Sequence, residues 1–214
     1  MTTRQYNLFD TIIIEADRAI KTVFGKPETT DRPIPGANIQ EQELSAAEQT
    51  QSMRLMRVNH AGEVSAQALY QGQALTAKLP KVRQSMEQAA IEENDHLLWC
   101  QQRVHYFGGH TSLLNPLWYA NSFAIGAIAG KVGDKWSLGF VAETEKQVVK
   151  HLNEHLQKIS SNDEKSRTIL EQMKQDELRH GTVALEAGGV ELPPPIKLVM
   201  GIMSKVMTKT SYWL

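Results

Sequence analysis

Six residues able to bind metal occur in two copies of one pattern: a lone Glu, about thirty residues of helix-compatible sequence, then Glu-x-x-His. Glu63 precedes Glu93-x-x-His96 by 30 residues, and Glu145 precedes Glu177-x-x-His180 by 32. On a helix, positions i and i+3 lie on one face about 60° apart, so each Glu and His can turn inward together. One such copy says little, because Glu is common on helices and a nearby His is usually a solvated side chain. Two copies with matched partners describe two half-sites. Joined, they gather four carboxylates and two imidazoles, the ligand set of ferritin-like dimetal bundles. Four ionised carboxylates in a core of low dielectric would repel one another, and would protonate or unfold the bundle. Two divalent cations cancel that charge. Oxygen-rich ligation with one imidazole per metal suits iron or manganese better than zinc or copper.

Ligands at one height on antiparallel helices need a turn midway between them. Leu79-Pro80-Lys81 lies halfway from Glu63 to Glu93, where a proline ends one helix and opens the next. Ser160-Ser161-Asn162-Asp163, a run that favours turns and N-caps, lies halfway from Glu145 to Glu177. Each arm is then roughly 22 Å long at about 1.5 Å per residue, which sets the ligands deep inside four helices. The expected fold is all-α, a ferritin-like four-helix bundle.

The rest of the chain divides around that bundle. Tyr6 to Phe24 reads as an amphipathic helix, followed by a linker rich in Pro, Gly and Thr over Gly25 to Ala37 that contains Pro27, Pro33, Pro35 and Gly36. Residues 1–45 are thus expected to be a helical appendage and linker, and residues 46–214 the dimetal domain. Between the half-sites, Thr111 to Gly130 carries no charge. Its length fits a membrane span, yet a single crossing would leave the two hairpins on opposite sides of the membrane, unable to share a site. The segment is expected instead to be a long apolar crossover, about 111–134, either buried or dipping one face into lipid. After Pro193-Pro194-Pro195 the tail (helix about 194–212) carries Lys197, Lys205 and Lys209 and no acidic residue, with Ile196, Val199, Met200, Met203, Val206 and Met207 at mostly helical spacing. Such a helix lies in a membrane interface or packs its Met stripe on the bundle; beside an apolar crossover, the membrane is the expectation.

Composition sets outer limits. With 214 residues, of which 41% are hydrophobic and 22% charged, the chain is long enough to bury one core. A net charge of −1 gives no case for nucleic acid. Cys100 is the single cysteine, so no internal disulfide framework exists; a free Cys there reads as a small hydrophobe. The N-terminal run Ile12-Ile13-Ile14 is too short and too soon acidic for a targeting segment.

Five segments carry a family resemblance: Asn59-His60-Ala61-Gly62-Glu63, Leu69-Tyr70-Gln71-Gly72-Gln73, Glu92-Glu93-Asn94-Asp95-His96-Leu97, Asn115-Pro116-Leu117-Trp118 and Asp176-Glu177-Leu178-Arg179-His180. From about Arg54 to the C-terminus the chain resembles the demethoxyubiquinone hydroxylases of ubiquinone biosynthesis. The resemblance implies a carboxylate-bridged di-iron monooxygenase, peripheral on the cytoplasmic face of the cell membrane, that uses O₂ to hydroxylate the ring of a polyprenyl methoxy-methyl-benzoquinol. It implies two Fe ions, one served by Glu63, Glu93 and His96 and the other by Glu145, Glu177 and His180, with Glu93 and Glu177 bridging. Other proteins of ubiquinone biosynthesis are implied as partners. Glu143 competes with Glu145 for its place, and the spacing of 32 rather than 34 favours Glu145. Asp95, Asp176 and His60 are candidates to support the His ligands; His151 matches a family histidine but falls off the ligand face.

Two other readings stay open. His151-Leu152-Asn153-Glu154-His155 spells the H-x-x-E-H of some zinc peptidases, but this leaves the repeat unexplained. An iron-oxidising storage or detoxification protein of ferritin-like fold would use nearly the same six ligands, with a polar outer surface. The chain shows no dinucleotide-binding glycine motif and no Cys pair.

Overall fold

The computed structural model describes residues 7–26, 29–30 and 32–214; Tyr6 and Pro27, placed above in the first helix and the linker, lie outside the described residues. Among the described residues there are seven helices and no strand: α1 (Leu8–Phe24), α2 (Ala46–Thr76), α3 (Pro80–Tyr106), α4 (Asn115–Val132), α5 (Asp134–Lys158), α6 (Glu164–Glu186) and α7 (Pro194–Trp213). The all-α, ferritin-like arrangement follows from two hairpins, α2–α3 and α5–α6, packed against each other.

The turns fall where the sequence marks them. Pro80 occupies the first turn of α3, where its missing N–H costs nothing. Asp163 caps α6 by accepting from the Ser166 backbone N–H, and Ser45 and Glu48 form a reciprocal capping box at the start of α2. Two apolar clusters fill the bundle on either side of the ligand level. One gathers Leu55, Met56, Trp99, Cys100, Leu152, Ile169, Leu170 and Met173; the other gathers Tyr70, Met86, Leu138, Val141 and Ala184. Cys100 is thus a core residue, with its thiol against the Met173 sulfur at 3.7 Å.

The crossover is the helix α4, which lies along α2 and leads into α5 through Gly133. The two backbones meet at glycines: a Cβ on Gly126 would press into the Leu69 carbonyl oxygen, and one on Gly72 into that of Phe123. The residues α4 buries are Asn115, Tyr119, Gly126 and Gly130, while Leu117, Ile128 and Val132 stay exposed. No helix among the described residues is long and apolar enough to cross a membrane. α7 packs on α2 and α5, yet leaves Leu198 (66%), Val199 (55%), Val206 and Trp213 exposed, and α1 leaves out Phe9, Ile12, Ile13, Ile20 and Phe24. The connection before α2 runs over the seam of α3 and α6: Thr30 and Arg32 bond Asp95, and Glu41 pairs with Arg103, which also holds Asp163.

Candidate metal centre

Each helix of the bundle brings its expected residue inward: Glu63 from α2, Glu93 and His96 from α3, Glu145 from α5, Glu177 and His180 from α6, all of them buried. Their potential ligand atoms form two overlapping groups, Glu63, Glu93, His96 and Glu177, and Glu93, Glu145, Glu177 and His180, with the atoms of each group within 4.8 Å of one another. Glu93 and Glu177 belong to both. Glu143 stays outside, accepting from Gln147 at 2.9 Å and facing Lys197 at 3.8 Å.

The histidines enter with Nδ1 forward. His96 Nδ1 lies 3.0 Å from Glu177, 3.1 Å from Glu93 and 3.5 Å from Glu63; His180 Nδ1 lies 3.2 Å from Glu177 and 3.4 Å from Glu93. Behind each ring the halves cross over. His96 Nε2 meets Asp176, the residue before Glu177, at 3.0 Å, and His180 Nε2 meets Glu92, the residue before Glu93, at 2.8 Å. A carboxylate behind an imidazole fixes ring orientation and tautomer and raises ligand basicity. Of the three candidates to support a His ligand, Asp176 is the one that bonds a histidine of the cluster. Asp95 instead accepts from Thr30 and Arg32, and His60 faces Asn115. Glu92 was legible in the repeat, since both copies read acid-Glu-x-x-His, but spacing arguments confined to ligands pass it over.

Without a cation the cluster is poorly satisfied. Both oxygens of Glu145 are buried with no hydrogen-bond partner, and Glu177 Oε1 and Glu93 Oε1 face the His96 and His180 Nδ1 atoms, an arrangement that needs either protons or metal. Burial, followed by the neighbouring carboxylate of Glu93, holds Glu63 well above the usual carboxylate range; burial followed by Glu177 does the same to Glu145. Burial opposes charge on His180, but hydrogen bonds to Glu177 and Glu93 overcome it and push the imidazole up to about 12. His96 is likewise raised well above its ordinary value against the pull of burial, by hydrogen bonds to Asp176 and its three Glu neighbours. These shifts favour the protonated forms, and the donor set of four carboxylates and two Nδ1 atoms fits a pair of hard to intermediate cations.

The zinc-peptidase pattern does not assemble. His155 Nδ1 bonds Asn59 Oδ1 at 2.8 Å and its ring packs edge-on against His151 at 3.9 Å, and neither belongs to a metal-competent group among the described residues.

A cavity of about 340 Å³ between α2, α4, α5 and α7 reaches Glu63. Its walls are mostly apolar, with Ala66, Leu69, Ile125, Phe140, Met203 and Met207 among them, and a few polar groups, Asn59, Thr144, Gln147 and His151. His151 keeps Nε2 buried without a partner. A second apolar groove, with Ile128, Val132, Trp136 and Ile196, shares Ile125 and Phe140 with this cavity. Sequence patterns did not expose the cavity, because its walls come from four helices far apart in the chain.

A family model described as Ubiquinone biosynthesis protein COQ7 matches residues 50–211. The chain is 63% identical over 214 residues, all of both chains, to a protein of Nitrosococcus oceani named 3-demethoxyubiquinol 3-hydroxylase. A protein of the same name from Pseudomonas syringae is 54% identical over 211 residues, 99% of this chain and 98% of that one, and one from Nitrosomonas eutropha is 55% identical over 204 residues, 95% and 98% of the two chains.

Proposed function

The chain belongs to the ubiquinone biosynthesis protein COQ7 family, and from that premise we propose that it is a 3-demethoxyubiquinol 3-hydroxylase acting through two iron ions held by Glu63, Glu93, His96, Glu145, Glu177 and His180. The observation that carries the reading is the overlap of two buried four-residue groups through Glu93 and Glu177, beside an apolar cavity that reaches Glu63. Iron bound there supplies the redox chemistry that activates O₂, while the protein supplies geometry and water exclusion. The reaction inserts one oxygen atom into a ring C–H bond; the other leaves as water, with two electrons and two protons from a reductant.

The residues have distinct parts in this reading. Glu93 and Glu177 span both metal positions; Glu63 with His96, and Glu145 with His180, complete one position each. Asp176 and Glu92 keep the imidazoles pointed inward with Nδ1 free for metal. The quinol ring enters the cavity between α2, α4, α5 and α7, where the unpartnered Nε2 of His151 is suited to hydrogen-bond a ring oxygen. The prenyl chain follows the contiguous groove past Ile125 and Phe140 toward the exposed apolar residues of α4 and α7. Such a substrate favours a chain resting peripherally on a membrane, with Lys205 and Lys209 near the headgroups. An iron-storage protein has no use for this cavity, so its presence favours the hydroxylase.

Aerobic incubation of the iron-loaded protein with a reductant and a short-prenyl demethoxyquinol tests the reading. Conversion to a quinol heavier by one oxygen atom supports it; consumption of O₂ and oxidation of iron with an unmodified quinol would point to the ferritin-like oxidase instead.

A further inference from the structure

The connection between α1 and α2 lies outside the ligand pattern, yet it touches the back of the centre. Arg32 sends its Nε to Asp95 Oδ2 at 2.6 Å and its Nη1 to Asp176 Oδ2 at 2.9 Å. The same Asp176 oxygen meets His96 Nε2 at 3.0 Å. Thr30 fixes the Asp95 end, donating its backbone N–H to Oδ1 at 2.8 Å and its hydroxyl to Oδ2 at 2.5 Å. The guanidinium also sits 5.0 Å over the Trp99 ring, which in turn lies 5.3 Å from the His96 ring. Two of the groups that flank His96, Asp176 and Trp99, thus contact one arginine.

The other half-site is held differently among the described residues, by Arg179, whose Nη2 reaches Glu92 and also Asp176 Oδ1 at 3.2 Å. His180 is backed by Glu92, and Glu92 is held by Arg179 of α6 itself at 2.8 Å. Arg179 is half exposed, and Glu92, Arg179 and His180 line a pocket. The two metal positions thus share bridging carboxylates but differ in what holds their histidines.

We propose that Arg32 is a positioning residue for the metal centre: its planar fork locks Asp95 of α3 to Asp176 of α6, so that the segment before α2 fixes the His96 ring and makes the His96 position the tighter of the two. The proposal rests on the di-metal reading above. A fork that bonds two carboxylates at once is a property of arginine that lysine lacks. Loss of the carboxylate behind a ligating histidine typically costs about 10- to 100-fold in metal affinity; removing Arg32 leaves Asp176 in place but less fixed, so an effect near the lower end is expected at that one position.

Anaerobic titration of the full-length protein with ⁵⁷Fe(II), followed by Mössbauer spectroscopy, resolves the two positions; Arg32→Met and Arg32→Lys are compared with the wild type, and far-UV circular dichroism verifies folding of each metal-free protein. In both variants, one ferrous doublet is expected to shift or broaden and its occupancy to require about tenfold more iron, while the other doublet stays as in the wild type. Wild-type binding of both irons with an unchanged spectrum in the folded Arg32→Met protein, or in Arg32→Lys where Arg32→Met fails to fold, would overturn the proposal and leave Arg32 a brace of the fold. A wild type that binds no iron would instead count against the di-metal reading.

Discussion

At the residue scale, the centre is a set of charges that are tolerable only in combination. Burial at His96 and His180 is outweighed by the carboxylates around them, which raise both imidazoles, and burial with their carboxylate neighbours raises Glu63 and Glu145; both shifts favour the protonated forms. Ligation needs neutral imidazole and ionised carboxylate, so metal must displace these protons. Loading ferrous iron at pH 7 in weak buffer should release about two or more protons per chain, read with an indicator dye; no release would contradict the assigned ligands. A second set of histidines works in the opposite direction. Burial first, then the nearby charge of His105, holds His60 down to about 4; burial holds His151 down to about 4. Both groups bind protons more readily in the unfolded chain, where the ordinary value is about 6.5. Stability is therefore present above pH about 6.5 and is lost as the pH falls toward 4, by on the order of a few kcal/mol for the two together. The raised carboxyls of Glu63 and Glu145 act in the opposite sense over this range, so the histidine contribution is read as a difference: in thermal unfolding of metal-free protein from pH 7.5 to 4.5, His60→Gln should gain stability relative to the wild type as the pH falls.

Among the elements, the hairpins were legible because their determinants are local. Pro80 and Asp163 sit midway between ligands, and side-chain chemistry at those points stops and restarts a helix whatever the rest of the chain does. The convergence of the six proposed ligands was legible for the same reason, since a three-residue offset on a helix has a fixed geometric meaning. Three things were not. Arg32 meets Asp176 across 144 positions, and no periodicity links them. The cavity needs four helices to exist. The uncharged stretch Thr111 to Gly130, most of which forms α4, did not reveal its burial in its composition; α4 buries glycines against α2 and turns Leu117, Ile128 and Val132 outward. The α2–α4 seam is accordingly sensitive to bulk. Gly126→Leu should force its side chain into the Leu69 carbonyl, cost about 1–3 kcal/mol and lower Tm by several degrees in calorimetry, whereas Ala124→Leu on the same helix is the control for added bulk away from the seam.

For the whole molecule, the buried candidate metal centre opens onto an apolar path leading outward. α7 is the element that connects them: Met200, Met203 and Met207 line the cavity, while Leu198 and Val199 are exposed. A patch of this kind is unusual on a free surface and suits a bilayer interface. Leu198→Glu with Val199→Glu should weaken binding to anionic vesicles by about tenfold or more, given roughly 1.5 kcal/mol or more per large apolar side chain withdrawn from lipid, with iron content unchanged; sedimentation with vesicles reads the first and metal analysis the second. Equal vesicle binding by the double variant would detach α7 from the membrane reading. Delivery of oxygen from O₂ to the quinol ring by the buried centre is tested most directly by a reaction under ¹⁸O₂ with iron-loaded protein, reductant and short-prenyl demethoxyquinol, analysed by mass spectrometry. The wild type should place one ¹⁸O on the ring and Glu177→Ala none. A ring oxygen that carries no label, or labelling that survives Glu177→Ala, would contradict it.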